Sequence, residues 1–179
     1  PFYSRQITTN EYRVNHGLGE ACENSFQGDE VKDLCVYGEN PDTVVWGDSY
    51  AMHLAEGLKQ NYSFIQITKS MCGPIIGVAA INESHNRRFA EACINYNAKA
   101  VDYIINSASI QKVIMSSPLS YYLTEDSDLL FQENIQNVDR RLVVSSLVNT
   151  VKLLIDNGKK VTFVSPPPKN GKDTGQCLG

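Results

Sequence analysis

Four short apolar stretches, separated by segments long enough to form helices, constrain the fold of this chain most strongly. The stretches lie at residues 43–46, 63–67, 112–115 and 160–164. Apolar residues recur at helical spacing over three further segments, at residues 50–60, 86–107 and 129–156. Short buried strands that alternate with helices form βαβ units, so the sequence predicts an α/β fold whose parallel sheet is covered on both faces.

Four loops follow the predicted strands and are expected to meet at one edge of the sheet. They cover residues 47–49, 70–74, 116–122 and 165–168, and three of the four are rich in Ser, Gly and Pro. Ligands of parallel sheets bind at the carboxyl ends of the strands. The sequence therefore predicts a functional site where these loops converge.

The first of these loops, Gly47-Asp48-Ser49, has two main interpretations. Asp48 or Ser49 caps the following helix, as such residues commonly do. Alternatively, Ser49 is a nucleophile, because the first turn of a helix offers free N–H groups and a partial positive charge to an oxyanion. The convergence of the other loops favours the nucleophile. A receiver-like domain phosphorylated on Asp48 is a weaker alternative, since the sequence lacks the acidic pair and the lysine that such a domain needs.

Charge and motif content argue against several functional classes. The chain has 179 residues, a net charge of −4 and no basic stripe, which argues against nucleic acid as a partner. Its apolar stretches are shorter than a membrane span, and no Cys/His pattern indicates a bound metal. Residues 1–40 show little hydrophobic periodicity. We expect them to form an irregular extension packed on a domain that covers residues 41–179.

The gaps between the cysteines favour two local disulfides, Cys22–Cys35 and Cys72–Cys93, and leave Cys177 over. The alternative is a set of buried free thiols in a cytosolic protein, and the sequence alone does not fix the connectivity. The polar, Gly-rich surroundings of Cys22 and Cys35 favour disulfides. Disulfides in turn imply an oxidising compartment.

Three segments resemble one family of proteins. Gly47-Asp48-Ser49 within residues 45–51, Cys72-Gly73-Pro74 within residues 68–74, and residues 93–97 resemble SGNH (GDSL-like) hydrolases. The resemblance is closest to the SGNH domain fused behind membrane acyltransferase-3 (AT3) domains, and it covers residues 42–177. It implies a three-layer α/β/α sandwich with a flavodoxin-like parallel sheet.

The same resemblance implies roles for individual residues. It makes Ser49 the nucleophile and places the backbone N–H groups of Ser49 and Gly73 in an oxyanion hole. The family's Gly-x-Asn-Asp block is absent after the third predicted strand, and the hydroxyl of Ser116 is the candidate for the missing donor. The resemblance implies no metal and no cofactor bound by this domain.

The chain departs from the family in its general base. The Asp-x-x-His block that supplies the base in SGNH hydrolases does not occur in this sequence. His16, His53 and His85 lie at other positions, and we expect them to be surface or structural residues. The sequence likewise offers no partner for Cys177 and no last strand for the sheet. We therefore expect that the chain is cut short and that a missing segment carries strand, cysteine, aspartate and histidine together.

The function implied by the resemblance is that of an extracytoplasmic domain of an O-acyltransferase. It would transfer acetyl groups to a bacterial surface polysaccharide such as lipopolysaccharide O-antigen. The implied partners are an N-terminal AT3 domain of the same polypeptide and a polysaccharide or lipid-linked glycan, with acetyl-CoA as the ultimate donor through the membrane domain. The implied location is the periplasmic side of the inner membrane, to which that domain tethers it.

Two other functions remain open from the sequence. One is a secreted carbohydrate esterase or deacetylase on the same fold, and the other is a non-catalytic glycan-binding domain. Tyr121, Tyr122 and the acidic segment 125–128 could contact a glycan, although two tyrosines in such a loop more often simply pack.

Overall fold

The computed structural model describes residues 15–124 and 127–166. Its helices and strands in chain order are β1 (Phe26–Gln27), β2 (Glu30–Val31), β3 (Val36–Tyr37), β4 (Thr43–Gly47), α1 (Ser49–Leu58), β5 (Phe64–Thr68), β6 (Val78–Ile81), α2 (Arg87–Asn106), β7 (Lys112–Ser116), β8 (Asp128–Phe131), β9 (Asn134–Asn137), α3 (Arg140–Asp156) and β10 (Lys160–Val164). Short 3₁₀ turns occur at Glu20–Cys22, Asp33–Cys35 and Ser120–Tyr122.

The central sheet has five strands in the order β10-β7-β4-β5-β3. Its four parallel members are β4, β5, β7 and β10, and they confirm the four predicted strands. β3 is an antiparallel edge strand that pairs with β5. Gly47 at the end of β4 lies beside Thr68 of β5 and Ser116 of β7, so these three strands end at the same level. The loops that follow them therefore start side by side.

Helices cover both faces of this sheet. Trp46 of β4 is fully buried in a cluster that includes Ile104 of α2 and Leu154 of α3. Its neighbour Val45 points to the opposite face, because side chains alternate along a strand, and packs with Ala51 of α1. The arrangement is the predicted three-layer α/β/α sandwich, with α1 on one face and both α2 and α3 on the other.

One predicted helix was wrong over its first eleven residues, 129–139. The segment 129–156 was expected to be one helix, but it forms the hairpin β8–β9 before α3 begins at Arg140. β8 also pairs with β6, which makes a second, antiparallel sheet in the order β6-β8-β9. The hairpin turn is made by Gln132 and Glu133, both at positive φ. These residue types do not signal such a turn, and a short apolar run does not distinguish a strand from a helix.

The residues before β4 are tied to the central sheet. Gln66, buried in β5, donates a hydrogen bond to the carbonyl oxygen of His16 and accepts one from the N–H of Leu18 at 2.8 Å. The disulfide Cys22–Cys35 joins the two 3₁₀ turns of this segment, with a Cα–Cα distance of 5.4 Å. Residues 1–14 of the expected extension lie outside the described residues.

The second predicted disulfide, Cys72–Cys93, is also present, so both predicted pairings are confirmed. It links the loop after β5 to α2, with a Cα–Cα distance of 5.6 Å. Cys177 lies outside the described residues. Among the helices that the structure describes, none combines the length and the apolar character needed to cross a membrane.

Candidate active site

The turn between β4 and α1 depends on glycine. Gly47 has φ +153°, and a Cβ atom at this position would lie 2.0 Å from the carbonyl oxygen of Ser116 and 3.0 Å from Cβ of Ala51. Any side chain here would push the end of β7 away from the turn. Gly47 thus allows the loop after β7 to approach the start of α1.

Asp48 caps α1, and Ser49 is the first residue of the helix. The Asp48 backbone is extended, and its Oδ1 accepts a hydrogen bond from the N–H of Tyr50 at 2.9 Å. The capping role is therefore filled by Asp48, which leaves the half-buried Ser49 side chain available. The N–H of Ser49 lies in the first turn, where the helix itself supplies no acceptor. Capping and a reactive serine are compatible here.

Asp48 also forms a hydrogen-bond network with the loop after β7. Its Oδ2 accepts hydrogen bonds from Oγ of Ser117 at 2.6 Å and from the hydroxyl of Tyr121 at 2.8 Å. The carboxylate is only 1% exposed, and burial raises the pKa of Asp48, while the donors from Ser117, Tyr50 and Tyr121 oppose this rise. Burial, aided by Tyr122 and then by Asp48, raises the pKa of Tyr121, which keeps its hydroxyl protonated as a donor.

Gly73 lies in the loop after β5, beneath the loop after β7. A Cβ atom on Gly73 would lie 2.9 Å from Cδ2 of Leu119 and 3.0 Å from Cε2 of Tyr122. The buried Asn97 of α2 holds this loop, since its Nδ2 donates to the carbonyl oxygen of Gly73 at 2.7 Å. Its Oδ1 accepts from the indole N–H of Trp46 at 3.1 Å. Asn97 therefore fixes the Gly73 loop relative to the central strand.

Ser116 does not direct its hydroxyl to the turn at residues 47–49. Its side chain is buried, and Oγ donates to the carbonyl oxygen of Val164 in β10 at 2.9 Å. The donor role expected for Ser116 thus lacks a free hydroxyl proton in this structure. The hydroxyl that the loop after β7 brings to Asp48 is that of Ser117, one residue later. The contacts of Ser117 and Tyr121 with Asp48, and of Asn97 with the Gly73 loop, were not predicted from the sequence.

The three histidines occupy other positions. His53, one helical turn after Ser49, directs Nδ1 to the carbonyl oxygen of Ser49 rather than to its hydroxyl. His85 bonds the side chain of Asn82 at 3.2 Å and packs against Phe89, and burial lowers the pKa of His85. His16 lies in the segment that precedes β4, and its Nδ1 is 3.6 Å from Oε2 of Glu23. Over residues 15–124 and 127–166, no hydrogen bond reaches the Ser49 hydroxyl.

Tyr122 is fully buried and packs in a cluster with Ile75 and Val78, so it offers no ring to a ligand at the surface. In the part of the chain that the structure describes, no group of three or more His, Cys, Asp or Glu side chains could hold a metal ion. Residues 125–126 of the acidic segment and 167–168 of the last loop lie outside the described residues.

Comparison with known protein families agrees with this geometry. A family model described as the SGNH domain fused to AT3 domains matches residues 21–179. The chain belongs to this family. The match begins just before Cys22, well ahead of β4. No curated protein and no solved structure matches the chain.

Proposed function

We propose that this SGNH domain is the extracytoplasmic part of an O-acetyltransferase that modifies a bacterial surface polysaccharide, such as O-antigen. In this proposal an AT3 domain of the same polypeptide tethers it at the periplasmic side of the inner membrane. That domain passes on acetyl groups that come ultimately from acetyl-CoA, and a polysaccharide or lipid-linked glycan accepts them. The family match supports the AT3 partner, and the two disulfides support an oxidising compartment.

The observation that carries the proposal is the position of Ser49. It lies two residues after the end of the buried strand β4, at the first position of α1, and its side chain is not used for capping because Asp48 fills that role. A negative charge that develops beside Ser49 faces the positive end of the helix and the free N–H of the serine. One such preorganised donor is worth about 10²–10³ in rate.

The reaction proceeds in two acyl transfers. Oγ of Ser49 attacks the acetyl carbonyl carbon, a base takes the serine proton, and the resulting oxyanion lies at the N-terminus of α1. The base gives this proton to the departing donor group as the bond between that group and the acetyl carbon breaks, which leaves an acetyl ester on Ser49. A sugar hydroxyl then attacks the ester, and the base takes the proton of that hydroxyl and passes it to Oγ of Ser49 as the ester bond to Ser49 breaks. The proposal assigns the base to none of the described histidines, because none of them bonds the Ser49 hydroxyl.

The test is Ser49→Ala in the full-length protein, with the O-acetyl content of the surface polysaccharide measured by NMR. Ser145→Ala is the matched control, because Ser145 is an exposed serine on α3. We expect Ser49→Ala to abolish acetylation and Ser145→Ala to leave it intact. Unchanged acetylation by Ser49→Ala refutes the proposal. Hydrolysis of a chromogenic acetyl ester by the protein without an AT3 domain would instead indicate an esterase.

A further inference from the structure

The cap of α1 differs from the other two α-helix caps of the described chain. Asn86 and Asp139, which cap α2 and α3, are exposed, and their side chains accept hydrogen bonds from backbone N–H groups of the first helical turn. Asp48 accepts such a bond with Oδ1, but its Oδ2 is also held by two hydroxyls. Those hydroxyls belong to Ser117 and Tyr121, which are 69 and 73 residues further along the chain.

Capping alone does not account for this burial. An exposed aspartate caps a helix equally well and leaves its second oxygen to water. Placing a carboxylate at 1% exposure costs free energy that its hydrogen bonds must offset. Among the described residues no Lys, Arg or His bonds to Asp48, and the titratable groups that face it are Tyr121 and Tyr122. The contact therefore links the start of α1 to the loop after β7.

We propose that Ser117 and Tyr121 are positioning residues, which hold Asp48 and thereby fix the orientation of Ser49 for acyl transfer. The proposal rests on the proposed role of Ser49 as nucleophile. Asp48 precedes Ser49 directly and is bonded on both oxygens, so loss of either hydroxyl leaves Oδ2 with one donor instead of two and loosens the hold on the carboxylate. A change of about 1 Å at a reacting group costs about 100-fold in rate.

The kinetic test uses the full-length protein and two conservative variants, Tyr121→Phe and Ser117→Ala. We expect each to lower kcat for acetyl transfer by about 10- to 100-fold and to change KM by less than about twofold, because Asp48 acts on Ser49 and not on substrate binding. Tyr62→Phe removes a hydroxyl from an exposed tyrosine and is the matched control; we expect it to retain full kcat. When Asp48 is already replaced by Asn, Tyr121→Phe should lower kcat little further, because the carboxylate that accepts the Tyr121 hydroxyl is no longer present.

A pH profile separates positioning from a purely structural role. Loss of a hydroxyl donor disfavours the ionised carboxylate, so Tyr121→Phe should raise the pKa of Asp48 further. The acid limb of the kcat profile then moves to higher pH. A structural role would lower the melting temperature and leave this limb in place. Full kcat and an unmoved acid limb in both Tyr121→Phe and Ser117→Ala would overturn the proposal.

A second measurement does not depend on activity. The side-chain carboxyl carbon of Asp48 is followed by NMR as a function of pH in the 179-residue chain. We expect its titration midpoint to move to higher pH in Tyr121→Phe, and an unmoved midpoint contradicts the network itself. If Ser49→Ala retains acetylation while the midpoint moves, the proposed function fails and the network stands. If Ser49→Ala abolishes acetylation but both positioning variants keep full kcat, only the positioning role fails.

Discussion

Replacing Gly47 by alanine tests whether the turn between β4 and α1 depends on the close approach of β7. The added Cβ would lie 2.0 Å from the carbonyl oxygen of Ser116, so the strand or the turn must shift by about 1.4 Å before the two atoms reach 3.4 Å, where ordinary contacts begin. Gly57 provides the matched control. It lies in α1 a few turns further on, is exposed, and has no atom within 4 Å of an added Cβ.

The two substitutions should change the free energy of unfolding in opposite directions. Forced overpacking costs about 1–3 kcal/mol and an unfavourable backbone region about 1–3 kcal/mol, so Gly47→Ala should destabilise by about 2–6 kcal/mol. Gly57→Ala should stabilise by about 0.5–1 kcal/mol, because alanine loses less backbone entropy in a helix. For a chain of this size, 1 kcal/mol corresponds to about 2–4 °C in Tm.

Thermal and urea unfolding of the 179-residue chain, followed by circular dichroism, measure both effects. We expect Tm to fall by about 4–24 °C in Gly47→Ala and to rise by about 1–4 °C in Gly57→Ala. The urea m-value should be unchanged in the control. A Gly47→Ala variant within about 0.5 kcal/mol of the wild type would refute the reasoning, because this is the range of substitutions that touch nothing.

Three more predictions concern residues that hold the site. Replacing Cys72 and Cys93 together by serine opens a loop with a sequence separation of 21 and should lower the free energy of unfolding by about 3.3 kcal/mol; a loss below about 1 kcal/mol in urea unfolding would contradict this. Asn97→Ala removes the partners of the buried indole N–H of Trp46 and of the buried carbonyl of Ile75 and should cost about 2–5 kcal/mol, whereas exposed Asn95→Ala should stay within about 0.5 kcal/mol. Burial raises the pKa of Asp48, so the folded protein holds that proton more tightly than the unfolded chain. The stability of the wild type relative to Asp48→Asn should therefore fall as pH rises from 3.8 through the folded pKa and level off above it; a rise with pH would be the opposite result.

The layers of the fold were predictable because their signals are local. The apolar stretches that form β4, β5, β7 and β10 are short and bounded by turn residues, and the stripe along α2 repeats at helical spacing. Both disulfides join the cysteines that the short gaps in the sequence had favoured as pairs. The hairpin β8–β9 was missed because its turn contains neither Gly nor Asn, and it is stabilised by pairing with β6, which lies almost 50 residues earlier in the chain.

The details of the site were less predictable, because they depend on contacts between distant residues. Ser116 and Ser117 are adjacent and chemically identical, and only the end of β7 decides which hydroxyl reaches Asp48 and which bonds β10. Nothing in the spacing of Asp48 and Tyr121 indicates their contact. Asn97 did leave a signal, since it is a polar residue on the otherwise apolar face of α2, where a buried side chain must find hydrogen-bond partners.

The most direct test of the central claim is to look for the acetyl group on Ser49. Membranes that contain the full-length protein but no polysaccharide acceptor are supplied with isotopically labelled acetyl-CoA, and the peptide that contains Ser49 is analysed by mass spectrometry. We predict a labelled acetyl ester on Ser49 that disappears when acceptor is added. An unlabelled Ser49 together with label on another residue of the chain would contradict the account.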